Sequence, residues 1–244
     1  MEISPKEFRA MAADVDDMHH AAMRTFRDET AELHLGVTQT SRRRFLAGAG
    51  AAAAAGGVLA VSNGFLPTTW LLPKAYALTD VDIAVFAESV ELAAVEAYKA
   101  AAGKLSKEVL PVGEMFLKHH QDHAGAFAAL AADKATGKPN AKLVEALTPT
   151  LSGLKDEAAA LDFAFTLENQ AADTYAFALT ALTLDAAYKG TATILPIESA
   201  HAGVLGMALA KDLKAIFPSA FIPAAVGDGS DPAEGLDPAA FPVA

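Results

Sequence analysis

Residues 197–205 read IESAHAGVL, and residues 119–127 read HHQDHAGAF. Superimposed on their common HAG, the two phrases set His201 against His123 and Glu198 against His120. Within each phrase the two positions lie three residues apart, a spacing that puts both side chains on one face of a helix. A second correspondence stands upstream. ELAAVEAYKA starts at Glu91 and ENQAADTYAF at Glu168, so each half pairs a Glu with a Tyr seven residues on: Glu91 with Tyr98, Glu168 with Tyr175. Seven residues are two helical turns, so each Glu shares a face with its Tyr. The chain reads as one helical hairpin written twice.

The surrounding periodicity agrees. Residues 78–103 place Thr79 as an N-cap with Asp82 three positions later, then apolar residues at helical spacing, then Gly103 as a stop. A second helix is expected from about residue 106, with Pro111 in its first turns, to the Gly137-Lys138-Pro139 break. A third runs from about 154 to 188, KGTAT at 189–193 forms a short link, and a fourth begins at Ile194. The connection over 136–153 is long enough to hold one short helix. No segment alternates with the period of two that marks a half-buried strand. The fold class is therefore all-α: a four-helix bundle of two antiparallel hairpins joined by one long crossover, over 78–217. Residues 218–244 are rich in Pro and Gly and form a non-helical tail. Phe86, Phe116, Phe127, Phe163, Phe165, Phe177 and Met207 are expected to pack the core.

Residues 40–77 read differently. Ser41-Arg42-Arg43-Arg44-Phe45-Leu46 followed by an Ala/Gly-rich apolar run matches a twin-arginine export signal, and Ala75-Tyr76-Ala77 has the small-x-small form of a cleavage site. Cleavage after Ala77 would leave residues 78–244; the competing reading is an uncleaved anchor, since the apolar run to Leu72 is long enough to span a bilayer. The expected location is across the cytoplasmic membrane, in the periplasm or cell envelope, with the twin-arginine translocase as a partner during export. Membrane contact is then transient, or made through an uncleaved signal. The first 39 residues form a leader with a narrow apolar stripe of Phe8, Met11, Val15, Met18, Ala22 and Phe26, read as a helix. His19 and His20 on it are expected in solvent, without a role.

Charge and composition remove several function classes. The formal charge of −11 falls on residues 78–244, which hold 11 Lys, no Arg and 22 Asp+Glu, a poor surface for gripping phosphate backbones. No nucleic-acid partner is expected. Cysteine is absent, which excludes disulfides, thiolate metal sites and a cysteine nucleophile. Any metal is held by nitrogen and oxygen.

Glu91 in SVELAAV and Glu168 in AFTLENQAA sit among apolar neighbours, where a lone carboxylate is costly unless paired or bound to metal. All four histidines beyond residue 78 fall in the two HAG phrases. Imidazole and carboxylate together suit iron, manganese, zinc or copper. Residues 80–215, with Glu198-x-x-His201 and the paired Glu-to-Tyr spacings, resemble the ferritin-like superfamily, in particular exported bacterial ferritin-like domain proteins related to desiccation-related proteins. The resemblance implies terminal carboxylate ligands at Glu91 and Glu168, a bridging one at Glu198, nitrogen ligands at His123 and His201, and Tyr98 and Tyr175 as groups that hydrogen-bond a ligand or supply an electron. It also implies iron, in a pair or alone, and a ferroxidase-like or oxygen- or peroxide-consuming oxidoreductase.

One position departs from the pattern: His120, itself a candidate metal ligand, stands where the resemblance calls for a Glu. An imidazole there removes a negative charge and a bridging group, which favours a single metal or another ion and weighs for the competing reading, a non-catalytic structural or stress-protective envelope protein. Of nearby polar residues, Gln121, Asp122 and Glu114 point elsewhere around the helix, whereas Glu88, one turn before Glu91, is a substitute candidate. His119 is read as a surface or outer-layer residue, and Glu96 and Asp173 as exposed or interfacial. A homo-oligomer is open; the proline-rich tail argues against a many-subunit shell.

Overall fold

The computed structural model describes residues 3–31, 78–211, 216 and 241–243. Six α-helices occur among them: α1 (Pro5–Ala31), α2 (Asp80–Ala101), α3 (Leu110–Ala131), α4 (Ala141–Gly153), α5 (Glu157–Ala181) and α6 (Asp185–Ala208). No strand is present among the described residues. The pairs α2/α3 and α5/α6 form the two hairpins, and α4 rides on the crossover between them, packed against α2. The export segment, its cleavage site and most of the tail lie outside the described residues.

Local chemistry explains the helix starts. At α2 the Thr79 hydroxyl accepts from the Asp82 N–H while the Asp82 carboxylate accepts from the Thr79 N–H and hydroxyl, a reciprocal cap. Asn140 caps α4 and Asp156 caps α5. The link between α2 and α3 is longer than expected, with a 3₁₀ turn at Ala102–Lys104 and α3 starting only at Leu110.

The α5/α6 boundary differs from the sequence reading. α5 ends at Ala181, and KGTAT lies inside α6 rather than forming a link. Asp80, at the head of α2, explains the displacement. Its carboxylate accepts from the N–H and hydroxyl of Thr183 and the N–H of Leu184, which fixes the break at 182–184 and satisfies backbone groups that α6 cannot cap locally. Gly190 marks a close approach instead of a turn: a Cβ there would stand 3.0 Å from the Phe26 ring.

That contact belongs to the largest departure from expectation. α1 packs on the bundle, chiefly against α6 and also against α3. Its buried face is Phe8, Ala12, Val15, His19, Ala22 and Phe26, spaced four and three by turns. Met18, placed on the stripe by the sequence reading, is 47% exposed, and His19 takes the interior position at 0%. The expectation that His19 is solvated is therefore corrected; His20 does face solvent.

Of the expected core aromatics, Phe86, Phe116, Phe127 and Phe163 are buried, whereas Phe165, Phe177 and Met207 are half-buried. No described helix is long and apolar enough to cross a membrane.

Candidate metal centre

Each of four helices sends polar side chains into the middle of an otherwise apolar bundle. α2 supplies Glu91, α3 supplies His120 and His123, α5 supplies Glu168, and α6 supplies Glu198 and His201. All six are buried, five of them at 0% exposure and Glu91 at 3%. The i, i+3 spacing of the HAG phrases does what a helix requires, bringing His120 and His123 to one face of α3 and Glu198 and His201 to one face of α6.

The six converge. His120 donates from Nδ1 to Glu91 Oε2 at 2.7 Å and from Nε2 to Glu168 Oε1 at 3.1 Å. Carboxylates only accept, so an imidazole that serves two of them carries two protons and a positive charge. His201 Nδ1 lies 3.0 Å from Glu168 Oε2 and 3.1 Å from Glu198 Oε2. His123 Nδ1 faces Glu198 Oε1 at 2.8 Å, yet neither atom has a partner with hydrogen-bond geometry. Two overlapping sets result: Glu91, His120, His123 and Glu198, and His120, Glu168, Glu198 and His201, each with one ligand atom per residue all within 4.8 Å of one another. His120 and Glu198 belong to both.

The electrostatics follow from the same contacts. Burial pulls the three imidazoles down, but the carboxylates overcome it: Glu168, Glu198 and Glu91 hold His120 well above its ordinary value, Glu198 and Glu91 push His123 up to about 9, and Glu168 and Glu198 raise His201. Conversely, burial raises Glu91 and Glu168, and the histidines more than reverse it, bringing Glu91 down to about 2 and Glu168 well below the carboxylate range.

Tyr98 and Tyr175 make reciprocal contacts. The Tyr98 hydroxyl, from α2, donates to Glu168 on α5, and the Tyr175 hydroxyl, from α5, donates to Glu91 on α2. Burial first, and then the adjacent carboxylates, push both phenols well above their ordinary range, so they stay protonated donors.

Glu88 takes no part. Its carboxylate accepts from the N–H groups of Thr136 and Gly137, which ties α2 to the start of the crossover, and the substitution suggested for it is corrected. Glu114 is exposed, and Asp122 pairs with Lys118 and His19. Glu96 is exposed beside Lys99; Asp173 is half-buried, and burial raises its carboxyl to about 6.

Of the two readings open for His119, the structure gives the outer layer, and the α1 residues that complete that layer, Asp16 and His19, are ones sequence reading missed. His119 is 1% exposed, with Nδ1 at 2.9 Å from His201 Nε2 and Nε2 at 2.9 Å from Asp16 Oδ1 on α1. His19 stacks on His119 with ring centroids 3.8 Å apart and bonds Asp122 Oδ2 through Nε2 at 3.3 Å. The only available signal was the register of His19 on the apolar face of α1.

A bundle of two hairpins with this inward set of three glutamates and three histidines defines a class, and the chain belongs to it: the ferritin-like domain family matches residues 79–211, more than half of the sequence. No curated protein and no solved structure matches the chain.

Proposed function

We propose that the protein binds one or two transition-metal ions, iron foremost, between its four bundle helices, and that it serves as a metal-dependent oxidoreductase of ferroxidase-like or oxygen- or peroxide-consuming type. The observation that carries this reading is the pair of facing orphans, His123 Nδ1 and Glu198 Oε1, buried within two overlapping four-residue ligand sets. Buried polar atoms that meet without bonding are costly, and a cation between them removes the cost. The donor set of three carboxylates and three imidazoles suits iron, manganese, zinc and, less closely, copper.

When bound, a redox-active ion would supply electron transfer toward dioxygen or peroxide. The chain's own residues provide the setting. Glu91, Glu168 and Glu198 offset the ionic charge, while Tyr98 and Tyr175 fix the orientation of Glu168 and Glu91. An apolar cavity of about 40 Å³, walled by Phe86, Phe127 and Leu167, reaches Glu91, His120 and Tyr175 and offers room for a diatomic reactant beside the site.

Export through the twin-arginine route belongs to the same proposal and rests on residues 41–46, SRRRFL; with α1 seated on the bundle, it is proposed in its uncleaved form, α1 staying with the bundle. Cells expressing the full chain would carry it outside the cytoplasmic membrane, and an Arg42→Lys, Arg43→Lys variant would stay inside; equal partition of both would reject the twin-arginine route, and retention of the parent inside would reject export. A relationship to desiccation-related proteins rests on the sequence motifs alone.

A second reading is favoured by His120. Its two contacts to Glu91 and Glu168 place a fixed cation where a metal would otherwise balance charge, as expected of a structural or protective envelope protein that has kept the fold without the chemistry. Elemental analysis of the purified full chain separates the two: near-stoichiometric redox metal supports the first, and a folded, metal-free protein that takes up none on addition supports the second.

A further inference from the structure

The two inward histidines that correspond between the hairpins, His201 and His123, are each backed by a second histidine, and each of these by an aspartate. Behind His201 stand His119 and then Asp16; behind His123 stand His19 and then Asp122. The two outer rings stack on each other, 13° from parallel. α1 contributes one member to each file, Asp16 to the first and His19 to the second. The ferritin-like match begins at residue 79, so neither residue belongs to it.

Hydrogen-bond inventory fixes the direction of the first file. Asp16 accepts only, so His119 donates from Nε2. Neutral His119 then presents a bare Nδ1, which accepts from His201 Nε2–H. The remaining nitrogen of His201, Nδ1, is the one that faces Glu168 and Glu198. In the second file His19 donates from Nε2 to Asp122, which leaves its Nδ1 an acceptor. That atom and His123 Nε2 are both buried without partners, on rings whose centroids are 5.0 Å apart, while His123 Nδ1 faces the carboxylates.

We propose that α1 is the outer wall of the metal centre: Asp16, through its hydrogen bond to His119, is a positioning residue that presents Nδ1 of His201 to the carboxylates, while His19 packs behind His123. The inference rests on the metal-binding reading for its consequence, but the proton arrangement it requires exists without metal. Partners behind a ligating histidine typically change metal affinity 10- to 100-fold when removed.

The test uses the full chain with 15N-labelled histidine. In the metal-free protein at pH 8, long-range 15N–1H spectra should show His119 as the Nε2–H tautomer. Asp16→Asn, whose amide oxygen still accepts, should keep that tautomer; Asp16→Ala should abolish it. Zn2+ titrated calorimetrically should bind the Asp16→Ala variant at least 10-fold more weakly than the parent, with Asp16→Asn within about 3-fold of the parent. An Nδ1–H tautomer of His119 in the parent, or one unchanged in folded Asp16→Ala, overturns the inference. So does unchanged Zn2+ affinity in Asp16→Ala. If the parent binds neither Zn2+ nor Fe2+, the functional reading fails while the tautomer spectra still decide the wall.

Discussion

The hydroxyl of Tyr98 donates to Glu168, a carboxylate carried by the other hairpin, and Tyr175 returns the contact by donating to Glu91. The exchange ties α2 to α5 at the level of the ligand set. Each hairpin's tyrosine thereby orders the other hairpin's carboxylate, so neither half of the site is complete alone.

Phenylalanine at either position removes a donor and leaves a buried carboxylate oxygen short of one bond. Tyr98→Phe and Tyr175→Phe should each cost about 1–3 kcal/mol by denaturant unfolding, and the two costs should be similar. Absorbance titration at alkaline pH should show both phenols ionising only as the bundle unfolds. A cost near zero in both variants would mean that the carboxylates find other donors.

The histidines make stability depend on pH in opposite ways without and with metal. His120, His123 and His201 are raised in the folded state, so what they contribute is fully present below the unfolded value near 6.5 and is lost as pH rises through the folded value, about 9 for His123. Glu91 is lowered, so its contribution holds above the unfolded value near 4.3 and fades as pH falls toward about 2. His19 and His119 pull the other way: burial first, and then neighbouring histidines, lower them, so their share holds above the unfolded value near 6.5 and is lost as pH falls, toward about 4 for His19. Metal-free protein should therefore be most stable at about pH 6.5 and lose melting temperature from 7 to 9 as the inner histidines give up their protons. Metal competes with the same protons, so the increment in melting temperature on adding Zn2+ should grow over that interval.

His120→Glu restores the carboxylate that the family resemblance calls for and adds an anion among Glu91, Glu168 and Glu198. Without metal, the loss of the central cation should destabilise the fold by about 3–5 kcal/mol. With Mn2+ or Fe2+ present, most of that loss should be recovered. Thermal melts with and without metal check it; equal destabilisation in both would show that no ion enters between these groups.

Much of this was legible in the sequence, for local reasons. Thr79 and Asp82 announce the start of α2 because their cap is built within four residues, and the HAG and Glu-to-Tyr repeats together mark the six site residues because helical spacing alone sets their faces. The break at 182–184 was not legible, because the groups that hold it come from Asp80, about a hundred residues upstream. Gly190 looked like punctuation and is a notch for Phe26. Asp16 and His19 were passed over because a polar helix ahead of an export motif reads as leader, and the choice of Met18 over His19 on its stripe turned the apolar face by 100°.

The seating of α1 can be tested at that notch. Gly190→Val would press on the Phe26 ring and should cost about 1–3 kcal/mol. Hydrogen exchange should quicken across 5–31 and change little in α2 and α4. Uniform loss of protection would mean that the notch serves the whole bundle rather than α1.

The central claim, that buried carboxylates and imidazoles from both hairpins form one metal centre, is tested most directly by equilibrium dialysis of the full chain against Fe2+ under anaerobic conditions, read by elemental analysis. One or two ions per chain should be retained, and a folded Glu168→Ala, His201→Ala double variant should retain none. A folded parent that holds no metal, or a double variant that holds as much as the parent, would contradict it.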